Sequence, residues 1–308
     1  IRRAPGTRAG IFRSSRRGGE RMTDFLTDRA TLRRKTVPGL LVERARSTPV
    51  AVAYRSKRLG LYRERTWRDY AMLVARFALG LRVLGLGRGE RVAIMGDACE
   101  EWMICDLAAQ ATGAITYGIY PTASVSELQY QMLDGGATIF IAEDQEYVDK
   151  ILPLVDRLPD LRWIIVIDDS AMFGYEHPKL KPFADVLGSG GPAGGPAGED
   201  RIAALEGMTR ALDPRSPAFI IYTSGTTGNP KGALVAHGRH LAAAHTVVDQ
   251  YPTLVQTLHR TVIFLPLCHV FGRDVAITLP LISRLVPHFG EDIDDLPQTL
   301  FEVAPSAL

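Results

Sequence analysis

The sequence predicts an α/β fold with doubly wound, mainly parallel sheets whose faces are covered by helices. Three observations predict it. Short strands that are apolar throughout alternate with amphipathic helices, capping residues precede several helices, and glycine or proline follows many elements. Strands of that composition are buried on both faces, as in sheets whose parallel strands are joined by helices. We therefore expect right-handed βαβ units.

The predicted elements follow one another from residue 66. Thr66 and Asp69 have the spacing of a capping box, and so do Ser124 and Glu127. Apolar residues recur at helical spacing after each pair. Predicted helices cover residues 67–84, 100–112, 125–135, 146–158, 240–250 and 274–283, the fourth with an internal Pro153. Predicted strands cover residues 91–95, 114–120, 137–142, 163–167, 218–223 and 262–267.

Composition divides the chain into four predicted ranges. Residues 1–36 begin with an arginine-rich segment and form a predicted disordered leader, with Met22 as the expected native start. Residues 37–187 form a first α/β subdomain. Residues 188–212 include the run GSGGPAGGPAG and form a predicted loop and linker. Residues 213–308 begin a second α/β subdomain.

Charge and cysteine usage narrow the function classes. The 36 basic and 34 acidic residues give a net charge of +2, which does not favour nucleic acid as a partner. The three cysteines have no CxxC spacing, as expected for a cytoplasmic protein. No apolar run reaches the roughly 20 residues of a transmembrane helix. Peripheral contact with a membrane stays open.

One segment carries the chemistry, IIYTSGTTGNPK over residues 220–231, followed by Gly232. A strand leads into hydroxyls, glycines and a lysine. Glycine lets the backbone approach a ligand, and successive N–H groups then form a nest for an anion. The loop is not a Walker A motif, because Pro230 precedes Lys231. It predicts a phosphate-binding site built by Thr223, Ser224, Gly225, Thr226, Thr227, Gly228 and Lys231. No metal-ligand spacing is evident, and we predict no metal-ligating residue in the chain.

The run YTSGTTGNPKG resembles the phosphate-binding signature of adenylate-forming enzymes: acyl-CoA synthetases, luciferases and adenylation domains of nonribosomal peptide synthetases. FLPLCHVFGR, over residues 264–273, is similar to the family's next motif. By that resemblance His269 and Phe271 would line the pocket for the carboxylate substrate. Without it, His269 would read as a hydrogen-bonded loop residue and Phe271 as a core aromatic.

Further segments, among them FGYEHPKLKPF and VPHFGEDIDDLPQTLFEVAP, are similar to long-chain fatty acyl-CoA synthetases. The resemblance covers residues 37–308 and implies the incomplete N-terminal domain of an adenylate-forming enzyme. It implies a fatty acid and CoA as substrates and ATP and Mg²⁺ as cofactors. The expected reaction forms an acyl-adenylate and then acyl-CoA, with Thr223 and Lys231 in catalysis.

The family's later motifs, with a Mg²⁺-binding Glu, a ribose-binding Asp and a C-terminal lysine, do not occur here. We therefore expect the 308 residues alone to lack useful adenylation activity. Two alternatives stay open. One is a non-catalytic nucleotide- or acyl-binding remnant, and the other is the adenylation part of a fatty acyl-AMP ligase or a carboxylic acid reductase.

Overall fold

The computed structural model describes residues 28–190, 198–223 and 229–307. Over these ranges the chain is an α/β fold with two sheets, as predicted. The helices are α1 Arg29–Leu32, α2 Val37–Ser47, α3 Trp67–Val83, α4 Glu100–Ala111, α5 Val125–Gly135, α6 Gln145–Ile151, α7 Phe183–Ser189, α8 Gly198–Arg210, α9 His237–Gln250, α10 Thr253–Gln256, α11 Val270–Arg273, α12 Leu279–Ile282 and α13 Leu296–Val303. The strands are β1 Val52–Arg58, β2 Leu61–Thr66, β3 Arg91–Met95, β4 Ile115–Ile119, β5 Ala137–Ala142, β6 Trp163–Val166, β7 Leu180–Pro182, β8 Pro217–Thr223, β9 Lys231–Ala236, β10 His259–Ile263 and β11 Leu285–Phe289.

The larger sheet has seven strands in the order β7-β6-β5-β3-β4-β8-β9. All neighbours are parallel except β9, which turns back against β8. The first strand of the series, β3, lies in the middle, and the chain winds outward from it in both directions. That order is the doubly wound arrangement, in which ligands bind at the carboxyl ends of the strands.

The smaller sheet has four strands in the order β10-β11-β1-β2. It joins the hairpin of β1 and β2, near the beginning of the chain, to the parallel pair of β10 and β11, more than 190 residues later. Neither β1 nor β2 was predicted, because the segment over 52–66 is rich in charge and has no continuous apolar run.

Two hydrophobic cores lie on opposite faces of the larger sheet. Val92 and Ile94 of β3 point into the core that also contains α2, α3 and α4, whereas Ala93 and Met95 point into the other, under α5 and α6. All four side chains are fully buried. Burial on both faces explains why the strand was apolar at every position rather than alternating.

The two predicted capping boxes are present. Thr66 and Asp69 cap α3 reciprocally, and Ser124 and Glu127 cap α5. The predicted helix over 146–158 is correct only in its first half. The α-helix ends at Ile151 and a 3-10 turn follows over Leu152–Arg157. Pro153 has no N–H to donate to an earlier carbonyl and so ends the α-helical pattern.

Two predicted boundaries need correction. The predicted leader over 1–36 ends too late, since α1 and the N-cap of α2 lie within it: Leu32 is fully buried, and Arg29 donates to Asp249 of α9 at 2.8 Å. The predicted linker over 188–212 contains α8, whose Leu205 belongs to the first core. Residues 1–27 and 191–197 lie outside the described residues.

The elements around the second motif are also shifted from the prediction. Strand β10 covers His259–Ile263 rather than 262–267, because its pairing with β11 ends at Ile263. Helix α9 begins at His237 rather than at 240, and the helical stretch predicted from 274 begins at Val270. A π-helical turn over Asp274–Thr278 joins α11 to α12.

The predicted subdomain ranges remain a prediction, but sheet membership cuts across them. Strands β8 and β9, predicted in the second subdomain, pair with strands of the first, and the hairpin of β1 and β2 pairs with β11. None of the described helices is long and apolar enough to cross a membrane.

Candidate active site

The hairpin of β8 and β9 carries Thr223 and Lys231 at the end where the two strands are connected. Thr223 is the last residue of β8 and Lys231 the first of β9, and the antiparallel register places them opposite each other. Both side chains are exposed. Lys231 has no ion-pair partner within the described ranges. An exposed ammonium group at the carboxyl edge of a parallel sheet suits an anionic ligand.

The five residues between these strands that we predicted to bind phosphate lie outside the described residues; they are Ser224, Gly225, Thr226, Thr227 and Gly228. Close packing of β9 against β8 explains why glycine follows Lys231. A Cβ atom on Gly232 would lie 2.8 Å from Cγ2 of Ile220 and 3.2 Å from Cζ of Tyr222. Only glycine lets β9 lie this close to the side chains of β8.

His269 occupies the N-cap position of α11, where its Nδ1 accepts the backbone N–H of Phe271 at 3.2 Å. Because Nδ1 is the acceptor, the neutral ring carries its proton on Nε2 and can donate a hydrogen bond from there. His269 is exposed, and the Phe271 side chain is 48% exposed.

A cavity of about 490 Å³ joins the two motifs. Thr223 and Pro230 line it from the hairpin, and His269 lines it from α11. The structure therefore brings Thr223 and His269 to one space, while Lys231 and Phe271 lie outside its lining. The other lining residues come from the segment after β4, from α5, from β8 and from α11: Tyr120, Thr122, Ala123, Glu127, Gln131, Ile221, Tyr222 and Val270.

Two polar residues of this cavity were missed in the sequence. Tyr120 directly follows β4, and the register of β4 with β8 puts it level with Thr223, so its position after a buried strand was a usable signal. Gln131 is 5% exposed and lines the cavity from α5. A buried amide in a cavity wall suits a polar ligand group. Nothing in the sequence of α5 indicated that Gln131 would line a cavity.

The AMP-binding enzyme family model matches residues 41–304, which include both motifs and the cavity. The chain belongs to the AMP-binding enzyme family. The family resemblance that we drew from YTSGTTGNPKG and FLPLCHVFGR is thereby confirmed.

Relatives of this AMP-binding chain include the long-chain-fatty-acid–CoA ligase FadD15 of Mycobacterium bovis. The two are 30% identical over 273 residues, which is 88% of this chain and 43% of the ligase. The chain thus spans less than half the length of that relative. Among solved structures, MbtA of Mycobacterium smegmatis has a TM-score of 0.70 at 22% identity, over 89% of this chain and 47% of MbtA. The anthranilate CoA ligase AuaEII, solved with anthranoyl-AMP, has a TM-score of 0.64 at 22% identity, over 89% and 49%. These structures share the fold.

A second cavity of the AMP-binding chain, about 320 Å³, lies where β3, β5, β10 and β11 end. It is acidic, with Asp97, Glu143, Glu291 and Asp292 in its lining. Burial raises the pKa of Glu143 to about 7, and the charge of Asp97 adds to the rise. The Asp97 N–H donates to the Glu143 carboxylate at 2.5 Å and partly offsets that effect. Glu143 therefore titrates near neutral pH.

Metal ligands do not converge in the described part of this AMP-binding chain. No group of three or more His, Cys, Asp or Glu side chains there could hold a metal ion.

Proposed function

We propose that this chain supplies the phosphate-binding and acid-binding walls of a ligase that activates a long-chain fatty acid with ATP and transfers it to CoA. One observation carries the proposal. Thr223 lines the same cavity as His269, and Lys231 lies opposite Thr223 at the same end of the hairpin. A triphosphate and a carboxylate held there would be neighbours, as an adenylation reaction requires.

The first step joins the two substrates. A carboxylate oxygen of the fatty acid attacks the α-phosphorus of ATP, the bond to the β-phosphate oxygen breaks, and pyrophosphate leaves. The reactants are both anions, so the site has to offset their repulsion. Lys231 would supply a positive charge and Thr223 a hydroxyl donor to the phosphates, together with the loop that they flank.

The second step uses the activated acid. The thiolate sulfur of CoA attacks the acyl carbon, the bond to the AMP oxygen breaks, and AMP leaves with that electron pair. His269 would donate from Nε2 to the carboxylate or to the acyl oxygen, because Nδ1 already accepts from the backbone. Mg²⁺ would enter with the ATP phosphates, whose charge it neutralises when bound.

We propose a cytoplasmic location, in keeping with three free cysteines in the described ranges, two of them buried. The fatty-acid substrate is supported by the name of the FadD15 relative, and the adenylate intermediate by the anthranoyl-AMP bound to AuaEII.

The test uses protein from the complete reading frame that contains these residues. It is incubated with ATP, Mg²⁺ and palmitate, with and without CoA, and AMP, palmitoyl-AMP and palmitoyl-CoA are quantified by mass spectrometry. The proposal predicts palmitoyl-CoA and AMP in equal amounts when CoA is present. Palmitoyl-AMP that persists with CoA would indicate an acyl-AMP ligase or a reductase-type adenylation domain. No fatty-acid-dependent AMP would overturn the proposal and leave a binding remnant.

A further inference from the structure

A buried ion pair lies directly behind the His269 segment. Arg273, the last residue of α11, is 1% exposed, and Asp106 of α4 is fully buried. The Arg273 Nη1 donates to Asp106 Oδ2 at 2.6 Å. The pair connects α11 to a helix that packs on the larger sheet, although the two residues lie 167 positions apart in the chain.

Both partners are held from several sides. Thr116 Oγ1 donates to Asp106 Oδ1 at 2.5 Å, and Gln110 Nε2 donates to Oδ2 at 2.8 Å. The guanidinium of Arg273 lies 5.1 Å from the ring centroid of Trp102 and 4.3 Å from that of Phe219. These contacts come from α4, β4 and β8, so the larger sheet and its helix fix the direction of the arginine side chain.

The backbone transmits this position to His269. The N–H of Arg273 donates to the carbonyl of His269 at 3.0 Å, which closes the single turn of α11. A Cβ on Gly272 would lie 2.4 Å from the carbonyl oxygen of Pro266, and a Cβ on Gly118 of β4 would lie 2.5 Å from Cα of Cys268. The segment over 265–273 is therefore clamped against β4 on one side and tied to Asp106 on the other.

Stability alone does not account for such a pair. Two charges removed from water lose most of their attraction to the cost of desolvation, and well-packed apolar residues of similar size are often as stable. The guanidinium also keeps two buried nitrogens, Nε and Nη2, without a hydrogen-bond partner in the described structure. The pair instead fixes the orientation of α11 relative to α4, because a charged hydrogen bond requires a specific geometry.

We propose that Arg273 is a positioning residue, which through Asp106 orients α11 so that the Nε2 of His269 faces the cavity shared with Thr223. This inference rests on the proposed function, because it makes Arg273 a determinant of fatty-acid binding. It extends that function to a residue that does not contact the cavity. Loss of the pair should therefore disturb the fatty acid more than ATP.

The test compares variants in the complete protein. Arg273→Met combined with Asp106→Leu removes both charges and keeps the volume, so the fold is retained. We expect the KM for palmitate to rise about 10-fold while the KM for ATP changes less than about 2-fold. Arg273→Lys, which retains the charge, should recover part of the loss. Glu100→Gln on the same helix is the matched control, because Glu100 pairs with Arg65 and Tyr54 away from the cavity.

A second readout does not depend on activity. In ¹⁵N NMR of histidine-labelled protein, the wild type should show the His269 ring with its proton on Nε2, and the double variant should show a mixture of tautomers. An unchanged His269 signal together with an unchanged KM for palmitate would overturn the positioning role. If the wild type does not activate palmitate but the His269 signal changes as expected, the proposed function fails and the positioning of His269 stands.

Discussion

The two walls of the candidate site are built in different ways. Thr223 and Lys231 lie at the exposed end of a two-stranded hairpin at the edge of the larger sheet, and the ammonium group has no ionic partner among the described residues. His269 lies on a short helix that a buried ion pair and two close backbone approaches hold in place. One wall presents an exposed ammonium group, and the other holds the His269 ring in a fixed orientation.

Substitutions in the two walls should therefore affect ligand binding and folding stability differently. An exposed lysine contributes little to folding, so its replacement should change ligand binding and leave stability unchanged. A buried charged pair contributes to both, and removal of one partner leaves the other without compensation. Measurements of unfolding and of activity on the same variants therefore distinguish the two walls.

Loss of one partner from the buried pair should destabilise the protein most. Asp106→Ala leaves the Arg273 guanidinium buried without its carboxylate, and we expect the free energy of unfolding to fall by about 3–5 kcal/mol. Chemical denaturation measures it. Arg58→Ala is the control, because the Arg58 side chain is 60% exposed and lies 3.6 Å from Glu101, so its loss should cost less than about 1 kcal/mol. Equal losses for the two variants would contradict the importance of the pair.

The exposed wall should show the opposite pattern. Lys231→Ala is expected to lower kcat/KM for ATP by about 100- to 1000-fold, because a charge aimed at the phosphates is lost. The unfolding midpoint should stay unchanged, since the side chain is exposed. Lys181→Ala at the other edge of the same sheet is the matched control, with no expected effect on activity. A variant that unfolds earlier and keeps its activity would show that Lys231 is structural.

The acidic cavity gives a pH-dependent prediction. The pKa of Glu143 is about 7 in the folded chain and near its ordinary value of 4.5 in the unfolded chain. The folded state is therefore penalised once Glu143 ionises, and this part of the stability is lost as the pH rises through 7. Glu143→Gln should be more stable than the wild type by about 1–2 kcal/mol at pH 8, and the difference should disappear near pH 4.

The control for this comparison is Glu146→Gln, which replaces an exposed carboxylate close to the same strand end. Its unfolding free energy relative to the wild type should be independent of pH within about 0.5 kcal/mol. A constant difference between Glu143→Gln and the wild type over the same range would contradict the raised pKa.

A small effect is expected at the start of α5, the helix that carries Gln131 into the first cavity. Ser124→Ala removes one half of a capping box, so the free energy of unfolding should fall by about 1 kcal/mol. Ser124→Asp keeps an acceptor for the N–H of Glu127 and should restore most of that loss. A fall of several kcal/mol would mean that the helix depends on its cap more than on its packing.

The early strands of the larger sheet were predictable because each is a continuous apolar run in the local sequence. Strand β3 is apolar at its core-facing positions because it is buried on both faces. Helices α3 and α5 begin at capping boxes, whose two residues lie three positions apart in the sequence. The smaller sheet depends on pairing between β1 and β11, which are separated by most of the chain. No local pattern records such a pairing, so the hairpin of β1 and β2 was missed.

The candidate site divides in the same way. Thr223, Lys231 and His269 were identified because their motifs are contiguous, and family membership supports that identification. Gln131 and Arg273 were missed because their roles arise from packing: one faces the cavity from a helix, and the other reaches Asp106 across the core. The binding roles of the site residues remain predictions that the experiments above test.

The most direct test of the account is whether Thr223 and His269 act on one bound ligand pair. Fatty-acid-dependent ATP–pyrophosphate exchange is measured for Thr223→Ala, His269→Ala and the double variant of the complete protein. If the two residues line one active site, the double variant should lose less activity than the product of the single losses, by a coupling of about 1 kcal/mol or more. Independent, multiplying losses or no loss in either single variant would contradict a shared site.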